Sequence, residues 1–204
     1  MTFDDAHWDE RYREAELLWS AAPNLFVADR LADVPAGRAL DLAAGEGRNA
    51  IWLAKEGWTV TAVDFSAVAV ERGRNLAERR EIRLVWVEDD VTRWDPDGEL
   101  FDLVLIAYLH LGPEVVESLV QQSWSWLAPG GRLFLVGHAK QNLKEGYGGP
   151  PDLERLWDPD ELVALVPGEP SVVEAEVVER PVVTEEETAT ALDAVVHLVK
   201  GEDP

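Results

Sequence analysis

The sequence contains no cysteine, which excludes disulfide bridges, thiolate metal ligands and thiol nucleophiles. It is also poor in basic residues: 18 Lys and Arg face 40 Asp and Glu, and the formal net charge is −22. Binding to nucleic acid or to an anionic membrane surface depends on Lys and Arg neutralising phosphate. The composition therefore argues against both kinds of partner. The four histidines are scattered without the spacing of a metal site, so we predict no metal.

Long apolar runs are missing as well. No run approaches the roughly 18 residues of a membrane span, and the acidic N-terminal residues 1–5 do not resemble a secretory signal. We expect a soluble, cytoplasmic protein. A chain of 204 residues is long enough for one domain with a substantial core.

A turn of small residues follows the first strand-like run of the chain. Residues 39–43 form a short apolar run, and the segment Ala44-Gly45-Glu46-Gly47 leads into an apolar helical pattern that begins at Arg48. Small residues let a ligand approach the backbone closely, and such turns receive nucleotide-like ligands in parallel sheets. Similar turns also serve as plain connections, so the loop alone leaves that alternative open.

A carboxylate at the end of the next strand-like run strengthens the interpretation. Residues 59–64 are rich in β-branched and small apolar side chains and end at Asp64. In dinucleotide-binding half-folds an acid about 20 residues after the glycine loop accepts hydrogen bonds from ribose hydroxyls. The two features together predict a nucleotide-type cofactor site.

The alternation of strand and helix patterns predicts the fold class. Five apolar strands separated by helices indicate a parallel sheet that is covered on both faces. The last two strand-like runs have no helix between them, which indicates an antiparallel hairpin. We predict an α/β, Rossmann-like three-layer sandwich with a mostly parallel seven-stranded sheet closed by that C-terminal hairpin. The predicted strands cover residues 39–43, 59–64, 83–88, 101–107, 132–137, 172–183 and 191–200.

These elements predict one domain over residues 1–204. Residues 1–36 are expected to form an N-terminal helical cap, and residues 37–138 the cofactor-binding core. Residues 139–204 would supply a substrate-side loop, a short helix and the terminal hairpin.

Five motifs carry a resemblance over nearly the full length. They are the loop Asp41-Leu42-Ala43-Ala44-Gly45-Glu46-Gly47, the strand ends Asp64-Phe65-Ser66 and Asp89-Asp90-Val91, the run Phe101-Asp102-Leu103-Val104, and the turn Leu127-Ala128-Pro129-Gly130-Gly131-Arg132-Leu133. The chain resembles the class I S-adenosylmethionine-dependent methyltransferases. Within them, Gly47-Arg48-Asn49 and the short build look most like the tellurite-resistance and thiopurine-methyltransferase-like small-molecule group.

Two points qualify the resemblance. The first glycine of the family loop is replaced by Ala43, which disfavours a positive φ and predicts a slightly different loop geometry. A dinucleotide-dependent dehydrogenase would share the first two motifs. The Pro129-Gly130-Gly131 turn, the terminal hairpin and the missing second mononucleotide half favour the methyltransferase.

The resemblance implies S-adenosyl-L-methionine as cofactor and S-adenosyl-L-homocysteine as product. It implies that Asp64 binds the ribose, that Phe65 covers the adenine, and that Asp90 and Val91 contact the adenine edge. Asp41 would order the loop through backbone hydrogen bonds. The implied cofactor-binding residues are Asp41, Ala43, Gly45, Gly47, Asn49, Asp64, Phe65, Ser66, Asp90, Val91 and Ala107.

Methyl transfer from a sulfonium mainly requires alignment and exclusion of water. An ionised thiol, selenium or tellurium acceptor needs no base, whereas a phenol or amine is helped by one. His110 and Tyr108, which follow the fourth strand, are the candidate catalytic residues. The candidate substrate residues are Tyr12, Trp19, His138 and Tyr147. A packing or surface role stays open for each of these side chains.

Two functions are compatible with the sequence. The first is methyl transfer to a small molecule, in a monomer or homodimer with no nucleic-acid or membrane partner. The residues Ile106-Ala107-Tyr108-Leu109 lack the Asn/Asp-Pro-Pro-aromatic run of amino-methylating DNA enzymes. The alternative is a non-catalytic S-adenosylmethionine-binding sensor or partner protein.

Overall fold

The computed structural model describes residues 22–184 and 188–201. The predicted substrate residues Tyr12 and Trp19, and the first part of the predicted N-terminal cap, lie outside the described residues. Within the remainder of that cap, helix α1 spans Leu25–Leu31 and begins at Asn24, whose Oδ1 accepts hydrogen bonds from the backbone N–H groups of Phe26 and Val27.

Strands and helices alternate after α1, as the sequence predicts. The strands are β1 (Arg38–Leu42), β2 (Thr59–Asp64), β3 (Val85–Glu88), β4 (Phe101–Ala107), β5 (Leu127–His138), β6 (Ser171–Val183) and β7 (Thr188–Val199). The helices are α2 (Arg48–Lys55), α3 (Ala67–Arg79), α4 (Pro113–Ser125), α5 (Asn142–Glu145) and α6 (Pro159–Ala164), with a 3-10 turn at Leu153–Arg155. None of the described helices is both long and apolar enough to cross a membrane.

The seven strands form one mixed sheet in the order β3-β2-β1-β4-β5-β7-β6. Strand β2 pairs parallel with β1 and β3, while β7 pairs antiparallel with β5 and β6. The predicted α/β, Rossmann-like fold with its antiparallel C-terminal hairpin is therefore confirmed.

Strand β5 begins earlier than the sequence predicts. It starts at Leu127 rather than at Arg132. The turn residues also form strand-like hydrogen bonds: the N–H of Gly130 donates to the carbonyl of Lys200, and the N–H of Lys200 donates to the carbonyl of Gly131. Gly130 accommodates the turn with a φ of 76°.

The chain divides into two compact units, residues 1–105 and 106–204, and the single-domain organisation stays a prediction. In the first unit, buried apolar residues of β1 and β2 form the sheet side of the core, for example Leu40, Leu42 and Val63. Ile51 of α2 and Leu76 of α3 pack in one cluster with Trp86 of β3.

In the second unit the core is built on β5 and β7. Leu133, Leu135, Val195 and Leu198 are almost completely buried, because both strands are inner neighbours in the sheet. Strand β6 lies at the sheet edge, and its Val172, Val173 and Val183 are exposed.

Candidate functional site

The first unit carries the small-residue loop between β1 and α2. Three of its residues, Ala43, Gly45 and Gly47, have φ values of 56°, 57° and 74°. Glycine adopts this left-handed conformation freely, whereas alanine pays roughly 1–2 kcal/mol for it. The replacement of the first glycine by Ala43 therefore does not move the backbone out of the left-handed region. It leaves a strained residue directly after β1.

Asp64, at the end of β2, fixes the loop. Its side chain is buried, with Oδ2 accepting from the N–H of Gly45 at 2.8 Å and Oδ1 accepting from the N–H of Ser66 at 2.9 Å. Ser66 in turn begins α3, because its Oγ accepts from the N–H of Ala69 at 3.2 Å. One carboxylate thus ties the glycine loop to the start of the next helix. Carboxylate oxygens accept more than one hydrogen bond each, and ribose binding by Asp64 stays a prediction.

Asp41, on β1, has a different environment. Its side chain is fully buried, and Oδ2 has no hydrogen-bond partner among the described residues. Burial raises the pKa of Asp41 to about 7, although a hydrogen bond from the backbone of Ala50 lowers the pKa and opposes this effect. A buried acceptor without a donor is costly, so this oxygen is suited to a ligand that brings a donor or a positive charge.

The ring of Trp86 leaves no room for a side chain at Gly47, the last residue of the loop. A Cβ added to Gly47 would lie 2.2 Å from the ring of Trp86, and a Cβ added to Gly73 of α3 would lie equally close to the same ring. Trp86 therefore fills the space beside both glycines. Gly47 is required both for its positive φ and for this contact.

The predicted adenine-side residues follow β3. Oδ1 of Asp90 accepts from both the N–H and the Oγ1 of Thr92, at 2.9 and 2.7 Å, which closes a tight turn. Val91 is buried and Phe65 is half-buried. Asn49 has an evident structural role, because its Oδ1 accepts from the backbone N–H of Asn24 at 2.8 Å and so holds the start of α1. Cofactor contacts by these four residues stay predictions.

The hydrogen-bond acceptors of this unit suit the donor groups of S-adenosylmethionine. The methionine part carries an ammonium group, for which the unpartnered Oδ2 of Asp41 is an acceptor of opposite charge. The ribose carries two hydroxyl donors, and the carboxylate of Asp64 is an acceptor group. The left-handed loop at Gly45 and Gly47 presents backbone without side chains. The sequence prediction also includes Asp41 among the cofactor-binding residues, with ordering of the loop through backbone hydrogen bonds as its role.

The second unit contains a separate cluster of polar side chains around Asp193. Asp193 of β7 is completely buried, and its Oδ2 accepts from the hydroxyl of Tyr108 and from Nε of Arg180, each at 2.6 Å. Its Oδ1 lies 3.2 Å from Nδ1 of His138. Burial alone would raise the pKa of Asp193, but His138, Arg180 and Tyr108 together outweigh burial and hold the pKa below its usual value.

Tyr108 is held in an unusual conformation directly after β4. Its φ is 57°, its backbone N–H donates to the carbonyl of Val136 at 2.7 Å, and its ring lies 5.6 Å from the guanidinium carbon of Arg180. Burial and then the negative charge of Asp193 raise the pKa of the Tyr108 hydroxyl. Tyr108 is therefore a hydrogen-bond donor in this cluster and not a base.

The geometry of His110 gives no support to its predicted role as a general base. Its Nδ1 lies 2.8 Å from the carbonyl oxygen of Arg155, so Nδ1 carries the proton. Its Nε2 accepts from the backbone N–H of His138 at 3.2 Å. Burial lowers the pKa of His110 to about 4. Both ring nitrogens are thus committed to the backbone of this unit.

A glycine-containing loop lies against His138. A Cβ added to Gly149 would be 2.8 Å from Cδ2 of the His138 ring. Asn142 holds the loop, since its Nδ2 donates to the carbonyl of Gly148 at 2.8 Å and its Oδ1 accepts from the N–H of Leu192 at 2.7 Å. The side chain of Tyr147 is half-exposed, and its predicted substrate contact stays a prediction, as does the placement of Ala107 near the transferred methyl group.

Sequence reasoning missed Asp193 and Arg180. One signal was present for Asp193: it is the only charged residue in the apolar run from Ala191 to Val196. A lone acid inside a strand that is otherwise apolar must find partners when the strand is buried. Arg180 lies among several acids on β6 and carries no comparable signal in the sequence.

Comparison with known proteins gives a family match over the middle of the chain. Residues 39–131 match the family described as "Methyltransferase domain". UbiE of Zymomonas mobilis, a ubiquinone/menaquinone biosynthesis C-methyltransferase, is 32% identical over 98 residues, which are 48% of this chain and 40% of that protein. The chain spans less than half the length of this and other curated relatives that it matches.

Solved structures match nearly the whole chain. TehB from Haemophilus influenzae aligns with a TM-score of 0.74 at 17% identity, covering 96% of this chain and 66% of TehB. The N-methyltransferase NodS from Bradyrhizobium japonicum, in complex with S-adenosyl-L-homocysteine, aligns with a TM-score of 0.72 at 17% identity, covering 97% of this chain and 99% of NodS. At these identities the likeness shows a shared fold.

Proposed function

We propose that this chain transfers a methyl group from S-adenosylmethionine to a small-molecule acceptor. The match of residues 39–131 to the family described as "Methyltransferase domain" supports the activity, and the likeness to NodS, which is in complex with S-adenosyl-L-homocysteine, supports the cofactor. The observation that supports this proposal best is the loop between β1 and α2. There the N–H of Gly45 donates a hydrogen bond to Asp64, and the left-handed residues Gly45 and Gly47 have no side chains. A plain connection between a strand and a helix would not need a buried carboxylate to shape it.

We assign the ends of the cofactor to separate residues of the first unit. The ammonium group would bind Oδ2 of Asp41, and the ribose hydroxyls would bind Asp64. The adenine would lie against Phe65, with its edge at Asp90 and Val91. Binding of a cation lowers the pKa of a neighbouring carboxyl, so the raised pKa of Asp41 would fall when the ammonium group binds.

The cofactor supplies a methyl group that is already activated on a sulfonium, and the leaving group departs neutral. The contribution of the protein is therefore to position the reactants and to exclude water. The loop between β1 and α2 suits the positioning of the cofactor, because Asp64 fixes its backbone. Methyl transfer does not by itself require a base, because an ionised acceptor attacks without one.

The acceptor class is the finer part of the proposal. Similarity to UbiE, a C-methyltransferase named for quinone biosynthesis, supports a quinone-related small molecule, and a phenol is the predicted acceptor class nearest to it. The narrower resemblance to the tellurite-resistance and thiopurine-methyltransferase-like group would instead favour a thiol, selenium or tellurium species. An amine acceptor is the third class. The formal charge of −22 supports a small molecule over nucleic acid.

Two measurements test the proposal in sequence. Isothermal titration with S-adenosylmethionine and S-adenosylhomocysteine should show binding of both. Release of S-adenosylhomocysteine is then measured with a panel of phenols, thiols, amines, selenite and tellurite, and at least one acceptor should give product. Absence of binding would overturn the cofactor assignment. Binding without product from any acceptor would overturn the enzymatic role and favour a cofactor-binding sensor.

A further inference from the structure

The polar cluster of the second unit contains one ring nitrogen that is placed to accept a proton. We propose that His138, oriented by Asp193, is the general base for an acceptor that loses a proton on methylation, namely an O–H or N–H group. This inference rests on the proposed function and deepens it, because it names the acceptor class and assigns the proton to one atom, Nε2 of His138.

Burial of both partners sets the orientation of the ring. Nδ1 of His138 and Oδ1 of Asp193 are buried, and neither has a well-aligned hydrogen bond to any described residue. The two atoms lie 3.2 Å apart. A buried ring nitrogen beside an ionised carboxylate is stabilised when it carries the proton. The neutral ring therefore has its proton on Nδ1 and its lone pair on Nε2.

Access to the ring is narrow but present. The solvent-exposed fraction of the His138 side chain is 13%. The backbone of Gly149 lies beside Cδ2 of the ring. Among the described residues, the polar contact of the His138 ring is made by Nδ1 and not by Nε2. The ring thus keeps a small exposed surface from which an acceptor can approach.

The charges around His138 suit a proton acceptor. Asp193 is the group that would face the imidazolium, and its carboxylate is kept ionised by Arg180 and by the Tyr108 hydroxyl. Neutral His110 stacks at 5.4 Å between ring centroids and adds no competing charge. The carboxylate of Asp193 is thus a fixed negative charge that faces the His138 ring on its Nδ1 side.

The other titratable side chains of the cluster are occupied. Both ring nitrogens of His110 contact backbone atoms, and the hydroxyl of Tyr108 is the donor in its bond to Asp193. Arg180 stays protonated beside the carboxylate. Among the described residues of this cluster, His138 is thus the one side chain with an unbonded basic atom.

The proposed step transfers one methyl group and one proton. The acceptor oxygen or nitrogen forms a bond to the methyl carbon while the sulfur–methyl bond breaks and its electron pair stays on sulfur as a neutral thioether. The proton of the acceptor passes to Nε2 of His138, and the imidazolium later releases it to water. A thiol that is already ionised would use the same alignment but would need no transfer to His138.

The test compares two acceptors of similar shape, a phenol and the corresponding thiophenol. In His138→Gln, turnover of the phenol should fall at least ~100-fold, while turnover of the thiophenol should change by only about threefold or less. Isothermal titration should show unchanged S-adenosylmethionine binding. His197→Gln, which replaces a histidine of β7 paired with Arg132 outside the cluster, is the matched control and should keep both activities.

A second readout is independent of turnover. Nitrogen-15 NMR of the histidine rings should report His138 with its proton on Nδ1, and the tautomer should shift toward Nε2 in Asp193→Asn. A change of tautomer would show that Asp193 orients the His138 ring, whereas a purely structural role of Asp193 would leave the tautomer unchanged. A His138 ring protonated on Nε2 in the wild type would overturn the inference.

The kinetic outcomes separate the inference from the proposed function. Equal loss with both acceptors, or no loss with either, would overturn the role of His138 as a base. Product from the thiophenol but not from any phenol or amine in the wild type would overturn this inference alone. No product from any acceptor would overturn the proposed function as well.

Discussion

The two units build their candidate sites from different parts of the chain. In the first, a single side chain, Asp64, holds the backbone N–H groups of Gly45 and Ser66. In the second, the candidate site consists of side chains from four strands or strand ends, and the bond from Tyr108 to Asp193 joins residues 85 positions apart. The backbone loop is thus encoded over a short stretch of sequence, whereas the polar cluster exists only because of the topology.

The two units nevertheless share one feature at their strand ends. Ala43 follows β1 and Tyr108 follows β4, and each is a non-glycine residue in the left-handed region, with φ values of 56° and 57°. Such conformations are kept where the surroundings fix them, and they concentrate at functional sites. In one unit the small side chain leaves the backbone open. In the other the large side chain is directed to a buried carboxylate.

The buried acids give the largest expected difference between the units. The pKa of Asp41 is raised from 3.8 to about 7, so the stability that the protonated form contributes below pH 3.8 is lost as the pH rises through about 7. This corresponds to about 4 kcal/mol at pH 8. We expect Asp41→Asn to raise the free energy of unfolding in urea at pH 8 by up to that amount and to have little effect at pH 4.

Asp193 provides the contrast for that prediction. Its partners lower its pKa, so Asp193→Asn should destabilise the protein at pH 8. A stabilising effect of Asp193→Asn, or a destabilising effect of Asp41→Asn at pH 8, would contradict the contrast between a carboxylate with one unpartnered oxygen and a carboxylate held by three side chains.

Any side chain at Gly47 should strongly lower the free energy of unfolding. Gly47→Ala should cost about 3 kcal/mol of unfolding free energy, because it adds a positive-φ strain and a clash with Trp86. Gly130→Ala in the second unit is the matched control. Gly130 has a similar φ of 76° but open space around it, and should cost only about 1 kcal/mol. Equal costs would show that Trp86 does not confine the loop.

Cofactor affinity should depend on Asp64 more than on a neighbouring strand-end acid. Asp64→Asn should weaken S-adenosylhomocysteine binding about 100-fold in isothermal titration, because charge-assisted hydrogen bonds contribute about 1.5–3 kcal/mol. Glu88→Gln is the control, since Glu88 pairs with Asp64 in the β2–β3 register and is exposed. Its variant should bind within about twofold of wild type. Comparable losses would move ribose binding away from Asp64.

The contribution of His110 to the free energy of unfolding should fall at low pH, whereas the contribution of Asp41 falls at high pH. The pKa of His110 is lowered from 6.5 to about 4, so stability is lost as the pH falls from 6.5 towards 4. In His110→Asn this loss should shrink by about 2 kcal/mol, as measured by urea unfolding at pH 7 and pH 4.5. His197, whose pKa is also lowered to about 4, should give the same sign. An unchanged pH slope would mean that the pKa of His110 is the same in the folded and unfolded states.

Prediction from sequence succeeded where patterns are local. Strands β2 and β4 have the bounds that the sequence predicts. The start of β5 was wrong because long-range hydrogen bonds to Lys200 extend that strand into the turn. The partners of Asp193 could not be read from spacing, since they depend on which strands become neighbours in the sheet.

The smallest expected effect concerns the departure from the family loop. Ala43→Gly relieves a left-handed conformation that costs alanine roughly 1–2 kcal/mol, but glycine gives up about 0.5–1 kcal/mol through its freedom in the unfolded chain. The net gain in unfolding free energy should be about 0.5 kcal/mol. Ala44→Gly, at the adjacent position without a positive φ, should instead lose about that amount. If both variants lose stability equally, then Ala43 is not strained, and the loop of the first unit owes its shape to Asp64 and to its two glycines.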